Sequence, residues 1–173
     1  MQTTLIMTVL GPDRPGIVES LSSFVAEAGG NWLESSMSHL AGQFAGIVQC
    51  SIPAEGVDGF RAQLDALKAE GLDCIVHAAG SESTELGTCF SLEVVGHDQP
   101  GIVKAVSDVI AQAGGNVEKF ESQVESAPMT GDPMFKAEIR VCFPSEDDVQ
   151  GLDNRLAGIG EELMLDVNWR ADG

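Results

Sequence analysis

The sequence predicts an α+β fold: two tandem ferredoxin-like βαββαβ domains, each an antiparallel sheet with both helices on one face. Two observations carry this. The segment Val9 to Asn31, VLGPDRPGIVESLSSFVAEAGGN, aligns without a gap on Val94 to Asn116, VVGHDQPGIVKAVSDVIAQAGGN, at a constant offset of 85, and 13 of the 23 positions are identical. The hydrophobic period then switches in the same order in both halves, which makes each half one structural unit.

Each half opens on a strand, Thr3 to Leu10 and Thr88 to Val95, the second alternating Phe90, Leu92 and Val94 against Ser91 and Glu93. An amphipathic helix follows. Its apolar face is Ile17, Leu21, Phe24, Val25 and Ala28, or Ile102, Val106, Ile110 and Ala113, with Pro15 and Pro100 suited to the first helical position. Gly29-Gly30 and Gly114-Gly115 supply the left-handed ending.

A hairpin comes next, Asn31 to Leu40 with Phe44 to Pro53 and Asn116 to Ser126 with Phe135 to Pro144, the second copy lengthened by an insertion near Ala127 to Pro133. A second helix uses Val57, Phe60, Leu64 and Leu67, or Val149, Leu152, Leu156 and Ile159, and a last strand ends near Ala79 or Arg170. Between the halves, residues 80–85 (GSESTE) are small, polar and aperiodic, as suits a linker, so the domains are read as 1–80 and 86–173.

The chain has 173 residues, 43% hydrophobic and 21% charged, the composition of an ordinary globular protein. Nine Lys+Arg against 27 Asp+Glu give a net charge of -18, which repels a polyphosphate backbone and an anionic bilayer alike. Direct nucleic-acid binding and membrane docking are therefore disfavoured, and no window approaches the roughly 20 apolar residues that span a bilayer. Met1 to Leu10 has no basic region or small-residue cleavage site, so it reads as a strand, and a cytoplasmic location is expected. Cys50, Cys74, Cys89 and Cys142 lie inside apolar strand patterns without C-x-x-C spacing, and are read as reduced core thiols.

Gly11-Pro12-Asp13-Arg14-Pro15-Gly16 and Gly96-His97-Asp98-Gln99-Pro100-Gly101 lie between a strand end and a helix start. The first turn of a helix offers unpaired N–H groups and the positive end of the dipole to a small carboxylate. Gly16 and Gly101 put no side chain in the way. Asp13 and Asp98 suit the ammonium of the same ligand, although the alternative that each caps its helix is left open. Asn31 and Asn116 carry amides for either ligand end across a domain interface, or for a local turn hydrogen bond.

These paired G-x-D-x-P-G-I-V loops, each followed by A-G-G-N, resemble the ACT domain, a family of amino-acid-binding regulatory modules. The resemblance covers nearly the whole chain and implies modules that pair edge to edge, within a chain or as a homodimer, with ligand in the seam near the first loop. Carried over by position, the ligand residues are Gly11, Asp13, Pro15, Gly16, Ile17 and Asn31, with Gly96, Asp98, Pro100, Gly101, Ile102 and Asn116. The resemblance further implies a free amino acid as ligand, glycine or serine, and a protein partner such as a transcription regulator. It implies no catalytic residue, metal or cofactor.

Two other readings compete. A ferredoxin-like fold does not exclude an enzyme, but His39, His77 and His97 are scattered and no nucleophile, Walker or dinucleotide motif accompanies them. A ligand-free interaction module is the stronger rival, with the insertion and its Met129 and Met134 as a partner-binding hairpin.

Overall fold

A computed structural model describes residues 1–80, 87–145, 149 and 151–171. The chain divides into two compact units, 1–82 and 83–173; all of the expected linker except Gly80 lies outside the described residues.

The first unit runs β1 (Gln2–Pro12), α1 (Ile17–Glu27), β2 (Asn31–Leu40), β3 (Gln43–Pro53), α2 (Val57–Leu67) and β4 (Asp73–Ala78), with short 3-10 turns on either side of α2. The second runs β5 (Thr88–His97), α3 (Ile102–Gln112), β6 (Asn116–Ser126), β7 (Pro133–Phe143), α4 (Leu152–Leu163) and β8 (Leu165–Ala171). Strand orders are β2-β3-β1-β4 and β6-β7-β5-β8, every pairing antiparallel. This is the βαββαβ ferredoxin-like arrangement, made twice.

Period-2 alternation sends one side of each sheet toward its helices. In the first unit Leu5, Met7 and Val9 of β1 join Ile17, Leu21 and Val25 of α1 and Phe60, Leu64 and Leu67 of α2 in one core. Phe90, Leu92 and Val94 of β5 do the same with Ile102, Val106 and Ile110 of α3 and Leu152 and Leu156 of α4. Burying each such side chain contributes about 1.5–3 kcal/mol relative to leaving it in water.

The glycine pairs end α1 and α3 as the sequence predicts. Gly29 N donates to Ala26 O and Gly30 N to Val25 O, with φ +68 at Gly29, a Schellman pattern that Gly114 and Gly115 repeat with Ala111 and Ile110. Gly30 and Gly115 also lie against the sheet, where an added Cβ would come within 2.6 Å of Ser51 O and 2.7 Å of the Phe143 ring. The last helix starts later than its apolar pattern: Gly151, at φ +80, breaks the chain after Val149, and α4 begins at Leu152.

The two hairpins differ as the insertion requires. β2 and β3 are joined through Ala41 (φ +50) and Gly42 (φ +78), the two left-handed positions of a type I′ turn. The longer loop between β6 and β7 closes on itself through Ala127 N to Asp132 O and Gly131 N to Ala127 O, leaving Met129 98% exposed.

The cysteine reading is corrected in the second unit. Cys89 and Cys142 are directly opposed across β5 and β7, and they form a disulfide. Each lies on the face of its strand opposite the core residues Phe90 and Val141, a placement that linear apolar patterning does not distinguish from a core position. Cys50, fully buried, and Cys74, half-buried, remain free thiols.

The open faces of the two sheets have opposite character. In the first unit Thr8 is bracketed by Ile6 and Leu10 on its own strand and by Ile47 and Ile75 across it. In the second unit the equivalent surface is charged, with Lys119, Arg140, Ser91 and Arg170 in one cross-strand row and Glu121, Glu138, Glu93 and Asn168 in the next.

Candidate functional site

Both strand-to-helix loops are exposed and share one backbone path. Gly16 has φ 91 and ψ -1, Gly101 φ 101 and ψ -9, and each is the N-cap of its helix. Pro15 and Pro100 therefore stand before the cap and not at the first helical position expected of them. A Pro-Gly pair with the glycine left-handed matches the central residues of a type II turn, and that turn, not the helix, uses the proline's fixed φ. No atom lies within 4 Å of a Cβ built on Gly16 or Gly101, so the space over the first turn is open.

Ser20 N donates to Gly16 O and Ala105 N to Gly101 O, each at 2.9 Å, which begins the helical ladder. The amides of residues 17–19 and 102–104 precede that ladder and have no acceptor within their helices. The side chains of Ile17 and Ile102 are 3% and 2% exposed and belong to the cores, so these residues offer a ligand only their backbone.

Neither aspartate caps its helix. Asp13 N donates to Gly42 O and Asp98 N to Pro133 O, both at 2.9 Å, tying each loop to the neighbouring hairpin. The Asp13 carboxylate lies 3.6 Å from His39 Nε2, a neighbour that sequence reasoning passed over. Strand register could have found it, because His39 pairs with Phe44 and Phe44 with Gly11. In the second unit Val124 pairs with Phe135, and Phe135 with Gly96, so Val124 takes the place of His39.

The loop positions that differ between the repeats brace the loop in different ways. Arg14 bonds to Glu70 in the turn before β4, whereas Gln99 Nε2 donates to Leu163 O at the end of α4, 2.6 Å away. His97 is exposed at the end of β5.

Gly11 and Gly96 have a packing reason for being glycine. A Cβ would lie 2.4 Å from Gly71 O at the first and 2.5 Å from Leu165 Cδ2 at the second. They let the strand end pass close to the segment entering β4 or β8.

Within each unit the asparagines are not brought to the loop. Asn31 pairs with Ser51, which pairs with Thr4, while the loop leaves β1 at Pro12, eight residues or roughly 26 Å along the strand. Asn116 is placed likewise, opposite Cys142, and its Nδ2 donates to Glu118 Oε1 at 2.5 Å.

Two grooves lie on the sheets. One of about 400 Å³ sits on the charged face of the second unit and another of about 740 Å³ along Thr8, Leu10, Ile47 and Ile75 in the first. The loops alone make an open shelf of amides with a carboxylate beside it, which needs a further wall to enclose a ligand.

Residues 3–78 match the family model described as ACT domain. The first unit is an ACT domain. The second unit repeats the loop sequence, element order and strand order of the first. A crystal structure of an unknown protein from Galdieria sulphuraria is 29% identical, with 100% of each chain covered and a TM-score of 0.89. A candidate glycine cleavage system transcriptional repressor is 16% identical over 99% of this chain and 98% of its own, with a TM-score of 0.71, which shows a shared two-domain fold. No curated protein matches the chain by sequence. ACT domains are regulatory modules, and no helix among the described residues is long and apolar enough to cross a membrane.

Proposed function

We propose that the chain senses a free amino acid, glycine or serine, and passes the signal by changing its contacts with another protein, without catalysis of its own. The observation that carries the reading is the loop made twice: an open first helical turn behind a left-handed glycine, beside an aspartate that does not cap the helix. The amides suit the ligand carboxylate and the aspartate its ammonium. The Asp98 carboxylate has no hydrogen bond or ion pair among the described residues, whereas the Asp13 carboxylate already faces His39, so the second loop is the better receiver.

Asn31 and Asn116, far from the loop of their own unit, serve as the missing wall when a second copy of the chain pairs edge to edge in a homodimer. The partner is a transcription regulator and the process glycine cleavage or related amino-acid metabolism, by likeness to the repressor fold and in keeping with the acidic charge, which disfavours DNA contact by the chain itself. The setting is the cytoplasm. Ligand shifts the partner equilibrium only by its differential affinity for the two contact states.

A thermal-shift screen against the twenty amino acids, followed by calorimetry, tests this. A ligand at a hundredfold excess over its Kd adds about 2.7 kcal/mol to stability. A stereospecific shift with one amino acid supports the sensor. No shift with any of them sinks it and favours a ligand-free interaction module, for which the exposed Met129 hairpin is the surface to test by partner pull-down.

A further inference from the structure

The open face of the first sheet holds an apolar patch that the fold does not require. Leu10, Ile47 and Ile75 are 55%, 48% and 56% exposed, and with the half-buried Ile6 they frame Thr8. In the second unit Glu93 stands where Thr8 does, opposed by Glu138 and Asn168 where Thr8 has Ile47 and Ile75. The same strand order is therefore made with a charged surface there, and packing within the unit does not account for the isoleucines.

Across the rows of Leu10, Thr8 and Ile6, acids enter only at two diagonal corners. Asp73 ends the row of Leu10 on β4, and Glu34 ends the row of Ile6 on β2. The other two corners are Ser38 and His77, and Asp73 already has Lys68 Nζ 3.9 Å away. Two copies of a chain with 27 Asp+Glu and a net charge of -18 repel each other over most of their surface, but not here. Four strands about 4.8 Å apart and three rows about 6.8 Å apart span roughly 400 Å². That is about half of what each partner buries in a standard stable interface, so the patch suits a weak, concentration-dependent dimer.

We propose that this face is a contact between two copies of the chain, packed sheet on sheet about a two-fold axis that lies along the row of Ile47, Thr8 and Ile75. The axis sets Ile47 on the partner's Ile47 and Ile75 on the partner's Ile75. It exchanges the outer rows, so Leu10 covers the partner's Ile6. Asp73 then faces the partner's His77 and Glu34 the partner's Ser38, and carboxylate meets carboxylate nowhere. A two-fold contact requires such self-complementarity of one patch. Edge pairing at Asn31 and Asn116 lengthens a sheet in its own plane, whereas this contact stacks two sheets about 10 Å apart and needs no ligand.

Sedimentation equilibrium of the full chain from about 1 µM to about 500 µM should show a reversible monomer–dimer equilibrium, with a dissociation constant above about 1 µM for so small an area. Ile47→Lys and Ile47→Glu, each checked for fold by circular dichroism, should each weaken self-association by about tenfold, because each sets like charges face to face near the axis. An equimolar mixture of the two variants should restore association to the level of the unaltered chain. That recovery requires Ile47 to lie on Ile47. A second measurement needs no variant: methyl spectra of the unaltered chain should shift with concentration at Ile6, Ile47 and Ile75, and not at Leu33 or Leu40 on β2. A monomer at every concentration overturns the proposal and leaves the face to a partner of different chemistry. A dimer that both variants leave unchanged, or shifts confined to β2, overturns it in favour of edge pairing. A mixture that fails to recover overturns the two-fold arrangement, and if the variants misfold the methyl shifts decide alone.

Discussion

The Asp13 carboxylate lies 3.6 Å from His39 Nε2, while Asp98, its counterpart 85 residues on, has Val124 where the first unit has His39. One sequence motif thus makes two different loops. A ligand ammonium must compete with His39 at Asp13 but meets an unengaged carboxylate at Asp98. Asp98→Asn should therefore weaken amino-acid binding by about tenfold, the loss of one charge-assisted hydrogen bond, and Asp13→Asn by less. Calorimetry of the two variants with the amino acid found by thermal shift checks the order. Equal losses would mean that the histidine does not distinguish the loops.

Four of the loop glycines divide into two physical kinds. At Gly16 and Gly101 the space is empty and φ is near +90 to +100, so alanine there pays only the left-handed conformation, about 1–2 kcal/mol. At Gly11 an added Cβ would lie 2.4 Å from a backbone oxygen that flexible side-chain motion cannot relieve. Gly11→Ala should lower the urea midpoint more than Gly16→Ala does. The larger Gly101→Val should leave the core intact yet obstruct approach to the first-turn amides, seen as lost binding with a near-native far-UV spectrum.

The turn between β2 and β3 offers a stabilising change. Ala41 occupies a left-handed conformation, φ +50, beside Gly42 at φ +78. Asn-Gly is the preferred pair for this turn because asparagine tolerates positive φ better than alanine. Ala41→Asn should stabilise the first unit by about 0.5–1 kcal/mol, a rise of a few degrees in Tm. A fall in Tm would mean that Ala41 has packing that its exposed position does not suggest.

Much of this architecture is written locally. Period-2 strands, the α1 and α3 faces and the Gly-Gly endings depend on residues within about a turn of each other, and the sequence carries them at the positions observed. What escaped it depends on register across strands. Cys89 meets Cys142 across 53 residues, and His39 reaches Asp13 only because β2 and β1 flank the same β3. The placement of Asn31 far from its own loop likewise follows from strand direction, which the A-G-G-N motif does not encode. Pro15 reads as the first helical residue, but the left-handed Gly16 behind it moves the helix start by two positions.

The two free thiols carry a pH prediction of definite sign. Burial pushes Cys50 above the ordinary thiol value of 9.0, and burial, followed by the charges of Asp73 and Asp65, does the same for Cys74. In the unfolded chain both titrate at the ordinary value. Below that value neither state ionises, and the stability contributed by keeping the thiols neutral is fully present. As pH rises past 9.0 the unfolded chain loses thiol protons before the folded one, so it binds fewer protons and unfolding becomes progressively easier. Urea unfolding of the reduced-thiol wild type should show stability falling as pH rises above 9.0, and the fall should be shallower in Cys50→Ala with Cys74→Ala. Over the same range the native chain should react slowly with iodoacetamide at Cys50, where the sulfur is both buried and protonated. An unchanged slope in the double variant would assign the alkaline loss to other groups.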